Sequence, residues 1–152
     1  MTRGRRGFTI IELLTAMVVV GILASLALLK YFDVTNEAHA AQAAGDISIV
    51  RQAAVSYYAQ AEEWPPGAPT GTVPAALQPL LPTGHSFVRQ RYTVEWFNAG
   101  GGASPTLVAI NIHAANARLA QKLQQRFSSG GVPFVMSGTT LSYILVAPGY
   151  SM

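Results

Sequence analysis

Arg5-Arg6-Gly7-Phe8-Thr9-Ile10-Ile11-Glu12-Leu13-Leu14, with the apolar run that continues to Leu29, is the stretch on which the reading of this chain turns. The 22 residues from Phe8 to Leu29 contain one ionisable side chain, Glu12, and no proline. As a helix they would extend about 33 Å, enough to cross the hydrocarbon core of a bilayer. A secretory signal peptide has a shorter apolar run and a small-residue cleavage site behind it, and neither is found here. A plain single-pass anchor fits the length, with the basic residues before it staying cytoplasmic and residues 31–152 outside. That reading leaves Glu12 without a purpose, since a carboxylate in hydrocarbon is costly unless paired or protonated.

The run Gly7-Phe8-Thr9-Ile10-Ile11-Glu12-Leu13-Leu14, behind a short basic leader and ahead of an apolar helix, closely resembles the type IV prepilin family, which includes the pseudopilins of type II secretion. The resemblance covers about residues 5–30 and is specific. It implies cleavage between Gly7 and Phe8 by a membrane prepilin peptidase, followed by N-methylation of Phe8. It also implies that Glu12 meets the N-terminal ammonium of a neighbouring subunit during assembly. Both charges are expensive in an apolar bundle, and together they would satisfy each other and fix axial register. Gly21 and Ser25 stand four apart, the small-xxx-small spacing that lets helices approach closely. Family members often carry a proline where this chain has Leu29, so a kink there is not implied.

Composition narrows the rest. The 152 residues contain no cysteine, which excludes disulfides, zinc-thiolate sites and thiol nucleophiles. Arg3, Arg5 and Arg6 precede Gly7, and beyond them the chain is formally neutral. Residues 31–63 carry five acidic groups against Arg51, a balance of −4, while residues 64–152 carry five basic groups against Glu95, a balance of +4. Two readings stand: charge complementarity between copies of the chain, or chance drift in segments with few charges.

From Tyr31 the pattern turns amphipathic, with Ile47, Val50, Ala54, Tyr57 or Tyr58, and Ala61 forming an apolar stripe. Asp33, Glu37, Gln42, Asp46, Gln52, Ser56 and Gln60 interrupt the alanine-rich remainder. Trp64-Pro65-Pro66-Gly67 stops the helix. The prolines and glycines of residues 64–85 make a long loop, with a short helix over Pro74–Leu81. Alternation predicts a strand over Phe87–Phe97 with Val88, Tyr92, Val94 and Trp96 on one face and Arg89, Arg91, Thr93 and Glu95 on the other. A turn at Asn98-Ala99-Gly100-Gly101-Gly102 leads to a strand over Thr106–Ile112. A helix over Ala114–Phe127 and strands over Val132–Met136 and Thr140–Ala147 follow. The expected fold is α+β and pilin-like. A leader occupies residues 1–7, the membrane half of a long helix 8–29, its amphipathic half 30–63, and an antiparallel sheet head packed against that helix 64–152.

Catalytic parts are missing from this pattern. Glu95 is the sole acid after Glu63, so no carboxylate pair is available for acid–base work. His85 and His113 are read as lacking an acidic partner, and the glycine run lacks the lysine of a phosphate loop. No metal or cofactor is expected; with no aspartate after Asp46, the calcium site of major secretion pseudopilins is not implied. His39 reads as a solvated helix residue. Arg118, Lys122 and Arg126 recur at four-residue steps, and with Arg89 and Arg91 they would form a basic patch able to contact DNA phosphates. The competing reading is a solvated face with salt bridges to Glu62 or Glu63 of a neighbour.

The resemblance thus implies a structural, non-enzymatic subunit of a type IV pilus or type II secretion pseudopilus. It would sit in the inner membrane before joining a filament of like or related pilins. Its partners would be the prepilin peptidase and the inner-membrane assembly machinery. The alternative from a different class is a single-pass anchored binding module with a basic, DNA-contacting head that never polymerises.

Overall fold

The computed structural model describes residues 8–100, 106–131 and 133–151. The leader with Gly7, the glycines 101 and 102, and Val132 lie outside the described residues. Helix α1 (Ile10–Ala61) is followed by a 3-10 turn (Gln78–Leu80), β1 (Tyr92–Ala99), β2 (Leu107–Ala114), α2 (Ala117–Ser128), β3 (Phe134–Ser137), β4 (Thr140–Ala147) and β5 (Tyr150–Ser151). The chain divides into two units, Met1–Thr35 and Asn36–Met152.

In the first unit, residues 8–34 are exposed throughout, including Phe8, Ile10, Leu14, Val18, Leu23 and Leu29. The helix is long and apolar enough to cross a membrane. Its hydroxyls are satisfied within the helix: Thr15 Oγ1 donates to the Ile11 carbonyl at 2.8 Å and Ser25 Oγ to that of Ile22 at 2.7 Å. Self-paired polar groups of this kind are compatible with lipid.

In the second unit the strands form an antiparallel sheet in the order β1-β2-β4-β3, with β5 paired to β4. Because strand side chains alternate, the register builds inward rows across the sheet. One row is Val94, Ile112, Leu141 and Met136; the next is Trp96, Ile110, Tyr143 and Phe134. Ala40, Ala43, Ile47, Val50, Ala53 and Ala54 of α1 are buried in one core with the bulky residues of this face. Helix α2 contributes Leu119, Ala120, Leu123 and Phe127 to the same core, with Phe127 against Phe134 and Tyr143 at ring distances of 6.2 and 6.3 Å. Asn116 caps α2, its side chain accepting from the Leu119 N–H at 2.9 Å. The helix therefore starts at Ala117 rather than at Ala114, which still belongs to β2.

The long loop covers the free edge of β1. The Ala68 N–H donates to the Trp96 carbonyl and the Gly71 N–H to that of Val94, at 3.1 and 2.9 Å, groups that an open edge would leave unpaired. The Trp96 indole N–H and the Asn98 amide both donate to the Pro65 carbonyl. Gly71 has φ +80°, and a Cβ there would stand 3.0 Å from Val88 Cγ2, so the strap needs glycine at this point.

One sequence expectation is corrected at the start of β1. Val88 is 61% exposed, and the strand begins at Tyr92. The chain folds back at Gln90–Arg91, with the Arg89 N–H on the Tyr92 carbonyl at 3.0 Å and the Val94 N–H on the Phe87 carbonyl at 2.7 Å. Val88 bridges Thr93 and so shares its outer face, while Phe87 and Arg89 share the inner face with Val94 and Tyr92. Reversal, rather than a longer strand, changes the parity of every residue before the turn. Ala61 of the predicted stripe is also exposed, since the helix ends there.

Candidate assembly site and the buried ion pair

Thr9 and Glu12 form a capping box at the start of α1. The Thr9 N–H and hydroxyl donate to Glu12 Oε2 at 2.9 and 2.8 Å, and the Glu12 N–H returns to Thr9 Oγ1 at 3.3 Å. The signature is Thr-x-x-Glu ahead of an apolar run, so Thr9 was legible and was missed. Glu12 has a local partner and is not intelligible through a second subunit alone. One carboxylate oxygen, Oε1, makes none of these bonds, and Phe8, four residues before Glu12, is 80% exposed. Gly21 and Ser25 both lie on the open surface of α1, and a Cβ at Gly21 would meet nothing within 4 Å.

In the second unit the basic residues are for the most part engaged within the chain. Arg89 Nε and Nη2 donate to the two oxygens of Asp46, each at 3.0 Å, and the Tyr92 hydroxyl donates to Asp46 Oδ2 at 2.7 Å. Asp46 is 4% exposed. It follows Ala43 and precedes Val50 and Ala53 at helical spacing, so it lies on the buried stripe, and that spacing was the signal the sequence reading passed over. A buried carboxylate costs several kcal/mol unless it is paired and hydrogen-bonded, and a bidentate guanidinium with a phenol supplies both. Burial, with the hydrogen bond to Asp46 next, pushes the Tyr92 phenol well up, and the hydrogen bond to Asp46 raises Arg89. Arg89 is thus a core fastener between α1 and the sheet and does not join Arg91 on an outer basic face.

Lys122 and Arg126 reach Glu37 on α1 at 3.7 and 3.5 Å. Of the five residues proposed for DNA, three therefore face carboxylates of the same chain. Arg118, exposed, and Arg91, half-buried, have no carboxylate partner among the described residues.

Both histidines have acidic neighbours, against expectation. His85 Nε2 lies 4.0 Å from Asp46 Oδ1, too far for a hydrogen bond. His113 Nε2 is 2.7 Å from Glu95 Oε2, and its Nδ1 is 3.1 Å from Thr140 Oγ1. The register pairs Thr93 with His113 and Glu95 with Asn111, which sets Glu95 diagonally beside His113 on the outer face. Sequence distance concealed this contact. The Thr140–His113–Glu95 line lies part-buried on the outer face of the sheet, where the Asn111 amide also donates to Glu95 Oε2 at 3.0 Å. It serves as a cross-strand polar row.

Burial pushes the Glu95 carboxyl up, but hydrogen bonds from Asn111, His113 and Thr70 outweigh it and hold it below its ordinary value of 4.5. A depressed carboxyl adds stability above its unfolded value, and that stability disappears as pH falls through the folded one. Glu95→Gln should therefore cost about 1 kcal/mol at neutral pH and nothing once acid has protonated Glu95 in both states. Thermal unfolding of both chains across that acid range checks this.

Residues 2–28 match the family model described as the prokaryotic N-terminal methylation motif. The likeness to type IV prepilins thus rests on this N-terminal segment. The curated relatives agree. A fimbrial protein of Neisseria meningitidis serogroup B is 39% identical over 61 residues, 40% of this chain and 36% of that protein. The type IV major pilin protein PilE1 of Neisseria gonorrhoeae is 36% identical over 72 residues, 47% of this chain and 34% of that protein. A fimbrial protein of Pseudomonas aeruginosa is 33% identical over 61 residues, 40% of each chain. The matched part of this chain thus spans 34 to 40% of those relatives' lengths. No solved structure matches it.

Proposed function

We propose that this chain is the precursor of a structural subunit of a type IV pilus or type II secretion pseudopilus. The observation that carries the reading is the exposed apolar stretch of residues 8–29, which carries the methylation motif and holds a single carboxylate, Glu12. Peptidase cleavage between Gly7 and Phe8 frees an ammonium on Phe8. N-methylation leaves that nitrogen charged. Before assembly the helix lies in the inner membrane with the sheet unit outside the cytoplasm, inserted with its leader arginines inside. On assembly, lateral packing of these helices replaces lipid, with Gly21 and Ser25 at close approach. Glu12 then exchanges part of its cap for the Phe8 ammonium of a neighbour, and the apolar surroundings make that pair worth far more than a surface one.

The anchored, non-polymerising module with a DNA-binding head draws less support, since Arg89, Lys122 and Arg126 are engaged by Asp46 and Glu37. The test is Gly7→Val in cells with an active prepilin peptidase. The full-length precursor should accumulate in the membrane and sheared filaments should vanish. Filaments at the normal yield from that variant would contradict the proposal.

A further inference from the structure

Two charged corners of the second unit are placed against their own electrostatics. Helix α1 ends at Ala61 with no basic residue in its last turn, and Glu62-Glu63, both exposed, follow it at once. A helix C-terminus carries partial negative charge and disfavours carboxylates. Glu62 also has φ +57°, and among the described residues it is the one non-glycine residue with positive φ. Such backbone persists only where the surroundings hold it. Here Trp64 stacks on Tyr58 at 4.8 Å and the Pro65 carbonyl is bound by Trp96 and Asn98, so the turn that presents both carboxylates is fixed. At the other corner, Arg118 occupies the first turn of α2, where positive charge is disfavoured and where no acidic residue stands. The Ala115 N–H donates to the Arg91 carbonyl at 2.9 Å, which brings the Arg91 backbone to this same corner.

These corners cannot neutralise each other within one chain. The later turns of α2 are tied to Glu37 through Lys122 and Arg126, and Glu37 precedes Glu62 on α1 by some 38 Å of helix axis. We infer that Glu62 and Glu63 of one copy meet Arg118 and Arg91 of another copy displaced along the α1 axis. Each corner then receives the charge that its own helix end lacks. The contact joins unlike surfaces, so it repeats without closing and yields a filament rather than a dimer. It rests on the assembly reading above and adds to it a register contact outside the apolar helix.

Charge reversal in the full chain tests it. Arg118→Glu and the pair Glu62→Lys/Glu63→Lys should each cut sheared-filament yield about tenfold, the equivalent of 1.4 kcal/mol per contact, with membrane levels of processed subunit unchanged. Combining all three with Arg91→Glu should return the yield to within about twofold of wild type, because only a direct pair is rescued by exchange of sign. Glu63→Cys with Arg118→Cys should give an oxidation-dependent ladder of multimers, cleanly read because the chain has no cysteine of its own, and neither single cysteine should give more than a dimer. Undiminished yield in Arg118→Glu, or a loss that the combination leaves unrepaired, would overturn the contact. So would a DNA gel shift abolished by Arg118→Glu at unchanged filament yield, which would assign the arginine to phosphate. Absence of filaments from the wild-type chain would instead overturn the assembly reading, and the two failures are therefore told apart.

Discussion

Replacing Asp46 with alanine lowers stability by about 3 kcal/mol, because the Arg89 guanidinium and the Tyr92 hydroxyl are both left facing the core with no acceptor. For a unit of this size that is a fall of roughly 12 °C in Tm, readable in the purified full chain in detergent from the fluorescence of the buried Trp96. Glu37→Ala provides the contrast. Glu37 also pairs with two cations, but it is 52% exposed and its contacts are 3.5 and 3.7 Å, so its loss should cost under about 1 kcal/mol. The double variant Asp46→Ala/Arg89→Ala should cost less than the two single changes added together, since each single change strands the other partner. Equal effects of Asp46→Ala and Glu37→Ala would mean that burial of the Asp46 cluster carries no special weight.

Glu12→Gln is expected to reduce filament yield by at least about tenfold while leaving cleavage intact, as loss of one partner from a desolvated charge pair costs several kcal/mol. Glutamine can still close the capping box on Thr9, so this variant removes the charge and keeps the cap. Thr9→Ala does the reverse. It gives up about 1 kcal/mol at the helix start and should leave yield within about twofold of wild type. Normal assembly by Glu12→Gln alongside a defect in Thr9→Ala would assign the carboxylate to the cap alone.

The large elements were readable because their periodicity is long and uninterrupted. The apolar run, the Ile47–Val50–Ala54 stripe, the Leu119–Leu123–Phe127 face and the Thr140–Ala147 strand all emerge where expected. What escaped depended on contacts between residues distant in sequence, or on a local reversal. Asp46 looks like a solvated helix residue until Arg89, 43 positions later, is seen to clasp it. Arg89 in turn was assigned the wrong face because alternation was carried through the fold-back at Gln90–Arg91, which swaps inside for outside. Glu95 and His113 meet through strand register alone. The internal charge polarity also changes meaning. The acidic helix and basic head are largely reconciled within the chain through Asp46–Arg89 and Glu37–Lys122/Arg126, so among the described residues of the second unit the charges without an opposite partner narrow to Glu62, Glu63, Arg51, Arg91 and Arg118. Thr9 was an oversight of a different kind, since a four-residue signature announced it.

The most direct test of the central claim is the mass and N-terminal sequence of this protein recovered from cells with an active prepilin peptidase. The account predicts a mature chain that begins at Phe8 and is heavier by one methyl group on its terminal nitrogen. A chain that still carries Met1–Gly7 in those cells would contradict it.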